Sequence, residues 1–516
     1  MPLWAILLLI SLFCRPPLPV DETRYLSVAW EMWQSHQFLV PHINGVPYSQ
    51  KPPLLFWLIQ AGWWLFGVQQ WSARLTAPIF GLFSMLLSIR LSRMFWPNQR
   101  ELHVAVPYLL LGTWFWSLYA SLTMFDMLVV CFALIAWNGL WLGYKGKTYQ
   151  CWLLYALAVG LGILAKGPVI LLYIVPPALL APWWAADGSI LWKSWYTGFI
   201  LSLVSGAGLA FMWAIPAARA GGAAYGHAIL FGQTAGRMVH SFAHGRPVYW
   251  YVLLLPLILF PWSFVPQFRQ GLMKLRLTPP VRFCLVIFGC SFLLLSAVSG
   301  KQIHYLLPLM PPILLLTGYI FFAGESRVLT AWPIRLFFLI SALFLFVLPR
   351  LSLHGGDSEM LRFIPSWLGI LPLAAALLTT KTNVGTRPLH LALLTLGLVL
   401  SLHLAFFRPL HDLYDIRSIA GKVKHAQVDH VVAVYPARLT DQLAFAGKLV
   451  KPLVPLLTRE AGQLWAREHP GQYLLFQLGK KEGSSYVDYS VVHRLAGKWL
   501  FFMTTDAMLE HTQTLN

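Results

Sequence analysis

Acidic and basic side chains gather in one polar loop near the start of a chain that is otherwise strongly apolar. Asp21-Glu22-Thr23-Arg24-Tyr25 and the later run Lys51-Pro52-Pro53 both lie between apolar segments. Ionisable residues held at a bilayer boundary are costly, which favours a functional reason for them. Carboxylates can exchange protons, and lysine and arginine can bind phosphate. The residue types indicate a functional site at the membrane boundary.

The composition fixes the class of protein. The 516 residues are 58% hydrophobic and only 11% charged, and the mean hydropathy is +0.63, which excludes an ordinary soluble globular domain. The net charge of +19 is typical of membrane proteins that gather Lys and Arg in cytoplasmic loops, so no nucleic acid is expected as a partner. The cysteines lack a CxxC spacing, so neither a zinc site nor a disulfide framework is indicated.

Apolar windows predict an all-α polytopic membrane protein with about thirteen transmembrane helices. The spans lie near 2–18, 72–94, 102–118, 125–143, 150–165, 168–184, 194–214, 248–268, 282–299, 303–323, 330–348, 364–379 and 389–407.

Loop charges predict the orientation. With a cytoplasmic N-terminus, the inside loops carry most Lys and Arg, as the positive-inside rule requires. The Trp-rich segment 54–67 is short for a span and is typical of a helix in the interface; if it does span, the topology is reversed. An odd number of spans places the C-terminal segment outside the cytoplasm.

The composition changes after about residue 408, where short apolar runs alternate with helix-like ones. We predict a transmembrane domain over 1–407, with a candidate functional site in the outer loop 19–71, and a small soluble extracytoplasmic α/β domain over 408–516.

In this topology, a set of charged residues and histidines in the apolar part of the chain falls on the extracytoplasmic side of the membrane. Lys166 and Lys301 each stand at a span boundary, where a lipid phosphate would lie. The set comprises Asp21, Glu22, Arg24, Lys51, Asp126, Lys166, His240, His244 and Lys301.

Several motifs resemble those of one enzyme family. The stretches 21–25, 41–58, 123–127, 164–168 and 300–308 are similar, in the right order, to the lipid A aminoarabinose transferases and the related protein O-mannosyltransferases. These are membrane glycosyltransferases of the C type that use a polyprenyl-phosphate sugar. The resemblance covers roughly residues 15–320 and is specific for the superfamily, much less so for the sugar.

The resemblance implies roles for three acids. Asp21 matches the catalytic aspartate of the first outer loop and Asp126 the second essential acid, and Glu22 is a further catalytic candidate. Structural alternatives remain open: Asp21 could cap the helix predicted from Asp21 through Trp33, and Glu22 could be a first-turn charge favoured by the helix dipole.

The cations and aromatic residues would form the donor site. Such an enzyme needs cations for the charge that develops on the departing lipid phosphate. The alternative is that these lysines and tyrosines anchor the chain in the membrane interface. The candidates are Arg24, Lys51, Lys166 and Lys301 for the phosphate, and Tyr25, Tyr48, Gln50 and Tyr305 for the pocket.

Gln50 departs from the family pattern. Relatives commonly carry Glu before Lys-Pro-Pro, where in some it holds a metal together with a histidine. An amide is a poor divalent ligand compared with a carboxylate. The cofactor therefore stays open: a divalent metal is doubtful, with His244 its candidate ligand and an ordinary loop histidine the alternative.

The resemblance implies a transferase in the bacterial inner membrane that acts on the periplasmic face. Its donor would be a polyprenyl (undecaprenyl) phosphate sugar and its acceptor a lipid A-like glycolipid. Transfer of a hexose to protein Ser/Thr or to another envelope glycan is the alternative. A transporter of polyprenyl-linked sugars would also need cations, but transporters tend to show internal repeats, and none is evident.

Overall fold

A computed structural model describes residues 2–185, 190–236, 245–323, 332–347, 365–379, 387–404, 414–479, 491–495 and 498–514. The chain divides into two compact units. We call the first the helical unit (Met1–Ser11, Ser49–Ala342 and Ile370–Ser401) and the second the sheet unit (Leu12–Tyr48, Leu343–Gly369 and Leu402–Asn516).

Helices make up most of the described chain. The α-helices are Pro2–Cys14, Asp21–Gln34, Leu54–Phe66, Gln70–Phe95, Arg100–Leu111, Trp114–Tyr119, Phe125–Tyr144, Thr148–Lys166, Leu171–Leu179, Ala181–Trp184, Trp192–Ala220, Gly222–His227, Trp250–Ile258, Pro266–Met273, Pro279–Ala297, Met310–Ala323, Trp332–Val347, Ile370–Leu378, Arg387–Leu402, Arg417–Ala426, Thr440–Gly447, Arg459–Glu468 and Thr505–Thr514. Shorter 3-10 turns cover Pro168–Ile170, Trp262–Phe264, Ile303–Leu309, Ser366–Gly369 and Ala437–Leu439, and a π-helical turn covers Ala228–Gly236.

Six helices of the described residues are long and apolar enough to cross a membrane, and each matches a predicted span. Shorter apolar helices match several others, in agreement with a multi-pass membrane protein. The six are Gln70–Phe95, Phe125–Tyr144, Thr148–Lys166, Trp192–Ala220, Pro279–Ala297 and Ile303–Phe322.

Three predicted spans are interrupted. The span 168–184 pauses at Leu180, between the helices Leu171–Leu179 and Ala181–Trp184. The span 102–118 stops at Leu111 and resumes at Trp114. The span 248–268 ends as a helix at Ile258, shortly before Pro261, which has no amide hydrogen to continue the helical ladder. A hydropathy window averages over such breaks, so the sequence predicts one helix where the structure has two pieces.

Phe125–Tyr144 is the innermost of the long helices, with 94% of its span buried. It is apolar all round, as expected of a helix surrounded by others. Trp192–Ala220 differs, because only 22% of its span is buried and its outer face suits lipid. Small residues let it approach Thr148–Lys166 closely: a Cβ on Gly206 would lie 2.5 Å from Val159 Cβ.

The sheet unit carries a mixed sheet. Strands β1 (His42–Ile43) and β2 (Val46–Pro47) form a separate antiparallel hairpin. The five-stranded sheet has the order β4-β3-β5-β7-β6. Strand β3 is parallel to β4 and β5, whereas β7 is antiparallel to β5 and β6. The strands are β3 (Val432–Tyr435), β4 (Val454–Pro455), β5 (Tyr473–Leu478), β6 (Val491–Leu495) and β7 (Lys498–Thr504).

Alternation along the strands builds two apolar layers. Val432, Val434 and Leu475 lie in one cluster, which also contains residues of the helices Arg417–Ala426 and Thr440–Gly447. The intervening strand residues pack in a second cluster with residues of Arg459–Glu468 and Thr505–Thr514. A sheet with helices on both faces confirms the predicted small α/β fold.

Candidate active site

Asp126 lies in the first turn of the helix Phe125–Tyr144. The helix begins after Met124, whose side chain makes no capping hydrogen bond. A carboxylate in the first turn interacts favourably with the positive end of the helix dipole. The Asp126 side chain is only 4% exposed. A charge buried this far from water requires a partner of opposite charge.

Lys166 is that partner. Its Nζ lies 2.5 Å from Asp126 Oδ1 and 4.6 Å from the centre of the Tyr305 ring. Lys166 is the last residue of the helix Thr148–Lys166, where a cation is favoured. Gly167 ends this helix with φ 81°, a conformation that glycine adopts without a Cβ penalty.

His304 lies on the other side of the Asp126 carboxylate. Its Nε2 is 4.0 Å from Asp126 Oδ2, and its ring meets the Tyr305 ring at 90° with 4.9 Å between centres. Tyr173 fixes this turn because its hydroxyl donates a hydrogen bond to the Tyr305 carbonyl at 2.8 Å. The sequence analysis did not select His304, although it stands in the same motif as Tyr305.

Lys51 is within electrostatic reach of Asp126. Pro52 and Pro53 follow it, and the helix Leu54–Phe66 begins immediately afterwards. Phe56 of that helix packs edge-on against Phe125, with 5.5 Å between ring centres. The helical unit therefore brings together Lys51, Asp126, Lys166, His304 and Tyr305, which we call the Asp126 cluster; Gln50 is exposed.

Lys301 is engaged elsewhere in the helical unit. It is 2% exposed, and its Nζ donates hydrogen bonds to the carbonyls of Arg246, at 3.1 Å, and Val298, at 2.5 Å. Burial lowers its pKa. These bonds hold the loop where Gly245 bridges Gly300, so a phosphate contact would use the ammonium hydrogen that remains.

In the sheet unit, Asp21 is the first residue of the helix Asp21–Gln34 and is exposed. The buried Tyr25 donates its hydroxyl to Asp21 Oδ1 at 3.2 Å. The alternative that Asp21 is the helix cap is wrong: Val20 precedes the helix and no side-chain cap bond forms. Asp21 therefore faces water with one oxygen oriented by Tyr25.

Glu22 forms a buried ion pair with Arg15. Arg15 Nη2 donates to Glu22 Oε1 at 3.0 Å, and Nη1 donates to Oε2. The backbone N–H of Leu18 adds a bond of 2.8 Å to the same carboxylate. The two side chains are 0% and 2% exposed. This environment favours a structural role for Glu22, beyond the first-turn charge that the sequence offered as its alternative.

Arg24 pairs with Asp441, a residue that the sequence analysis did not select. Arg24 Nε lies 3.0 Å from Asp441 Oδ2, and the side chains are 23% and 22% exposed. Burial works to lower the pKa of Arg24, but the charge of Asp441, the buried Tyr48 and then Asp21 outweigh it and raise that pKa. Asp21 and Tyr48 thus each lie within electrostatic reach of Arg24.

Comparison with known proteins places these residues in a family context. A family model described as dolichyl-phosphate-mannose-protein mannosyltransferase matches residues 50–218. Two relatives, from Edwardsiella ictaluri and Pseudomonas aeruginosa, are both named undecaprenyl phosphate-alpha-4-amino-4-deoxy-L-arabinose arabinosyl transferase. They are 28% and 29% identical over 58% and 61% of this chain, and over 55% and 59% of their own lengths.

Solved structures share the fold. The crystal structure of ArnT from Cupriavidus metallidurans bound to undecaprenyl phosphate matches with a TM-score of 0.73 at 17% identity, over 97% of this chain and 96% of that one. The apo oligosaccharyltransferase from Archaeoglobus fulgidus matches with a TM-score of 0.53 at 11% identity, over 92% and 69% of the two chains. The chain thus resembles the protein mannosyltransferases over residues 50–218 and shares the fold of ArnT.

The chain has the C-type glycosyltransferase fold of this family, as the sequence predicted. Sequence similarity to the curated relatives covers less than two thirds of their length. The family model begins at Gln50 and includes Lys51, Asp126 and Lys166. It leaves Asp21, Glu22 and the residues around His304 outside the matched segment.

No metal centre is defined in the part of the chain that the structure describes. There, no three His, Cys, Asp or Glu side chains are grouped so that they could hold an ion. His240 and His244 lie outside the described residues. The site that some family members use for a metal therefore stays a hypothesis here, with a neutral amide at Gln50.

Proposed function

We propose that the chain transfers a sugar from undecaprenyl phosphate to a lipid A-like glycolipid. The names of the arabinosyl transferase relatives support the carrier and the sugar-transfer reaction. The observation that carries the proposal is the buried Asp126–Lys166 ion pair, with Lys51 within reach of the same carboxylate. Two lysines concentrated around one acid suit a substrate whose leaving group is an anionic phosphate.

The reaction replaces one bond at the anomeric carbon of the sugar. An acceptor oxygen forms a bond to that carbon as the bond to the phosphate oxygen breaks, and the lipid phosphate leaves with the electron pair. Cations fixed beside the leaving oxygen stabilise its growing charge. Lys166 is suited to this task because Asp126 holds one of its ammonium hydrogens while others remain for a ligand. Lys51 is proposed to bind the same group, and Arg24 is a further proposed phosphate ligand, in the sheet unit.

The role of Asp21 depends on the acceptor. A phosphate of lipid A is already an anion, so Asp21 would position the sugar or the acceptor without removing a proton. A hydroxyl acceptor requires a general base. The bond from Tyr25 to Asp21 Oδ1 leaves Oδ2 for either task.

The proposed site of action is the periplasmic face of the bacterial inner membrane, with the domain 408–516 on that side. The charge bias of the loops supports this placement. A reporter fused to the C-terminus is expected to be active only outside the cytoplasm. Cytoplasmic activity of the fusion would overturn the orientation.

A direct test combines cells and purified protein. Mass spectrometry of lipid A from cells with and without the chain should detect a pentose-type addition that depends on it. The purified full-length chain should release undecaprenyl phosphate from a labelled donor only when lipid A is present. Unchanged lipid A in both strains, and no release from the donor, would refute the proposal.

Transfer to protein is the second candidate. The match of residues 50–218 to the protein mannosyltransferase model favours it. A Ser/Thr-rich peptide offered with a polyprenyl-phosphate hexose distinguishes the two acceptors. Labelling of the peptide without labelling of lipid A would replace the first proposal with this one.

A further inference from the structure

The ion pair between Arg24 and Asp441 differs from the other arginine pair near the start of the sheet unit. Arg15 and Glu22 are sealed from water and share two hydrogen bonds. Arg24 and Asp441 are each more than a fifth exposed, and the bond described between them joins Nε to Oδ2. A guanidinium has five N–H donors. A partly exposed pair joined in this way can exchange one anion for another at low cost.

Asp441 keeps a favourable position when Arg24 is withdrawn. It lies in the first turn of the helix Thr440–Gly447, where a carboxylate is favoured. The hydroxyl of Thr440 lies 3.4 Å from Asp441 Oδ1 but donates its hydrogen to the closer Ala437 carbonyl, at 2.8 Å. The helix terminus is therefore the main favourable interaction that remains for the carboxylate without the guanidinium.

The packing of this helix on Asp21–Gln34 does not depend on the ion pair. Ser27 Oγ accepts a hydrogen bond from the backbone N–H of Phe445 at 3.3 Å. Trp30 Nε1 donates to the Leu449 carbonyl at 2.8 Å. The Asn44 side chain adds two bonds to the backbone of Leu453, at 2.9 and 2.8 Å. These contacts would hold the element in place if Asp441 lost its charge.

We propose that Asp441 is the exchangeable counter-ion of Arg24. Asp441 pairs with the Arg24 guanidinium until the phosphate of the lipid carrier displaces the Asp441 carboxylate. This inference rests on the proposed function, because it needs Arg24 to bind the carrier phosphate. The exchange makes phosphate binding weaker than it would be on a free guanidinium. It also gives Arg24 a partner when the product, polyprenyl phosphate, leaves. Asp441 is thus a positioning residue that sets the affinity for the lipid phosphate.

The test measures binding of undecaprenyl phosphate to the full-length protein in nanodiscs. Asp441→Asn should tighten Kd by about two- to fivefold, the factor that corresponds to a partly exposed ion pair. The donor KM should fall by a similar factor. Asp441→Glu should bind like the wild type. A merely structural role would change thermal stability without tightening binding.

A double-mutant cycle ties the effect to Arg24. Adding Asp441→Asn to Arg24→Ala should leave Kd unchanged, because the competition has no guanidinium to act on. Asp415→Asn is the matched control, since it removes a carboxylate from the Arg417–Asp415 pair of the same unit. It should not alter Kd.

Three results would overturn the exchange: unchanged or weaker binding in Asp441→Asn, tightening that persists in the Arg24→Ala background, or equal tightening in the control. If the wild-type protein binds undecaprenyl phosphate normally, each of these results refutes the exchange but leaves the proposed function standing. A wild-type protein that fails to bind undecaprenyl phosphate refutes the carrier and the exchange together.

Discussion

Lys166 Nζ lies 2.5 Å from Asp126 Oδ1, and His304 Nε2 lies 4.0 Å from the other oxygen of the same carboxylate. The last residue of one helix thus neutralises the first turn of another, at a point closed to water. Removing one member of a buried ion pair leaves an uncompensated charge, whereas removing both leaves none. Removing both charges should therefore restore stability but not activity, so the effects of the Asp126 cluster on folding and on activity can be measured separately.

Lys166→Met should destabilise the protein by about 3–5 kcal/mol, because it leaves the Asp126 carboxylate buried without its ammonium partner. Asp126→Asn combined with Lys166→Met should recover most of that stability. Neither variant should transfer sugar. Thermal unfolding in detergent and a transfer assay per folded molecule provide the two measurements. Normal transfer by the double variant would remove both residues from the site.

Glu22→Gln should act on folding, because it strips the buried Arg15 of its charged partner; the expected loss is about 3 kcal/mol or more. Replacing both residues with apolar ones, Arg15→Met with Glu22→Leu, should restore stability and leave transfer close to wild type. Expression level and unfolding temperature report the first effect. A stable but inactive Glu22→Gln protein would instead assign Glu22 to catalysis.

Asp21→Asn keeps the size of the side chain and an oxygen for the Tyr25 hydroxyl but removes the charge. Since Asp21 is exposed and is not a helix cap, unfolding temperature should hardly change while transfer falls at least tenfold, equivalent to about 1.4 kcal/mol of barrier. Tyr25→Phe is the control for the hydrogen bond and should retain more activity than Asp21→Asn. Full transfer by Asp21→Asn would sink its catalytic assignment.

Lys448 makes stability in the sheet unit depend on pH. Burial, and then the charge of Lys424, lowers its pKa from 10.5 to about 7, although its ammonium also faces the Phe445 and Trp30 rings. A depressed folded-state pKa gives stability that is present above the unfolded value and is lost as pH falls toward about 7.

Lys448→Met should therefore unfold at a higher temperature than the wild type near neutral pH, and the advantage should shrink as pH rises toward 10.5. Unfolding temperatures of both proteins, measured at intervals from about pH 6 upward, test this dependence. Lys424→Met is the companion variant and should give a smaller gain. A gain independent of pH would mean that the methionine acts through packing alone.

The sequence determined the class and most long spans, and it supplied the residues of the candidate site. Apolar windows and alternation report burial along a continuous segment, so Phe125–Tyr144 and the strands β3 and β5 could be predicted from their own residues. Asp126, Lys166 and Tyr305 could be selected because each stands in a short motif. Breaks in a helix, such as the one at Gly112-Thr113, could not be predicted, because a local turn barely alters the hydropathy averaged over a window.

Only the tertiary structure decided the partners of these charges. Arg24 and Asp441 are far apart in the chain, and no local pattern pairs them. Lys301 has the residue type of a phosphate ligand, yet its ammonium bonds to the carbonyls of Arg246 and Val298. Side-chain type fixes what a group can bind, but its neighbours are set by how distant helices pack. Glu22 is buried and forms an ion pair with Arg15, whereas its neighbour Asp21 is exposed to water.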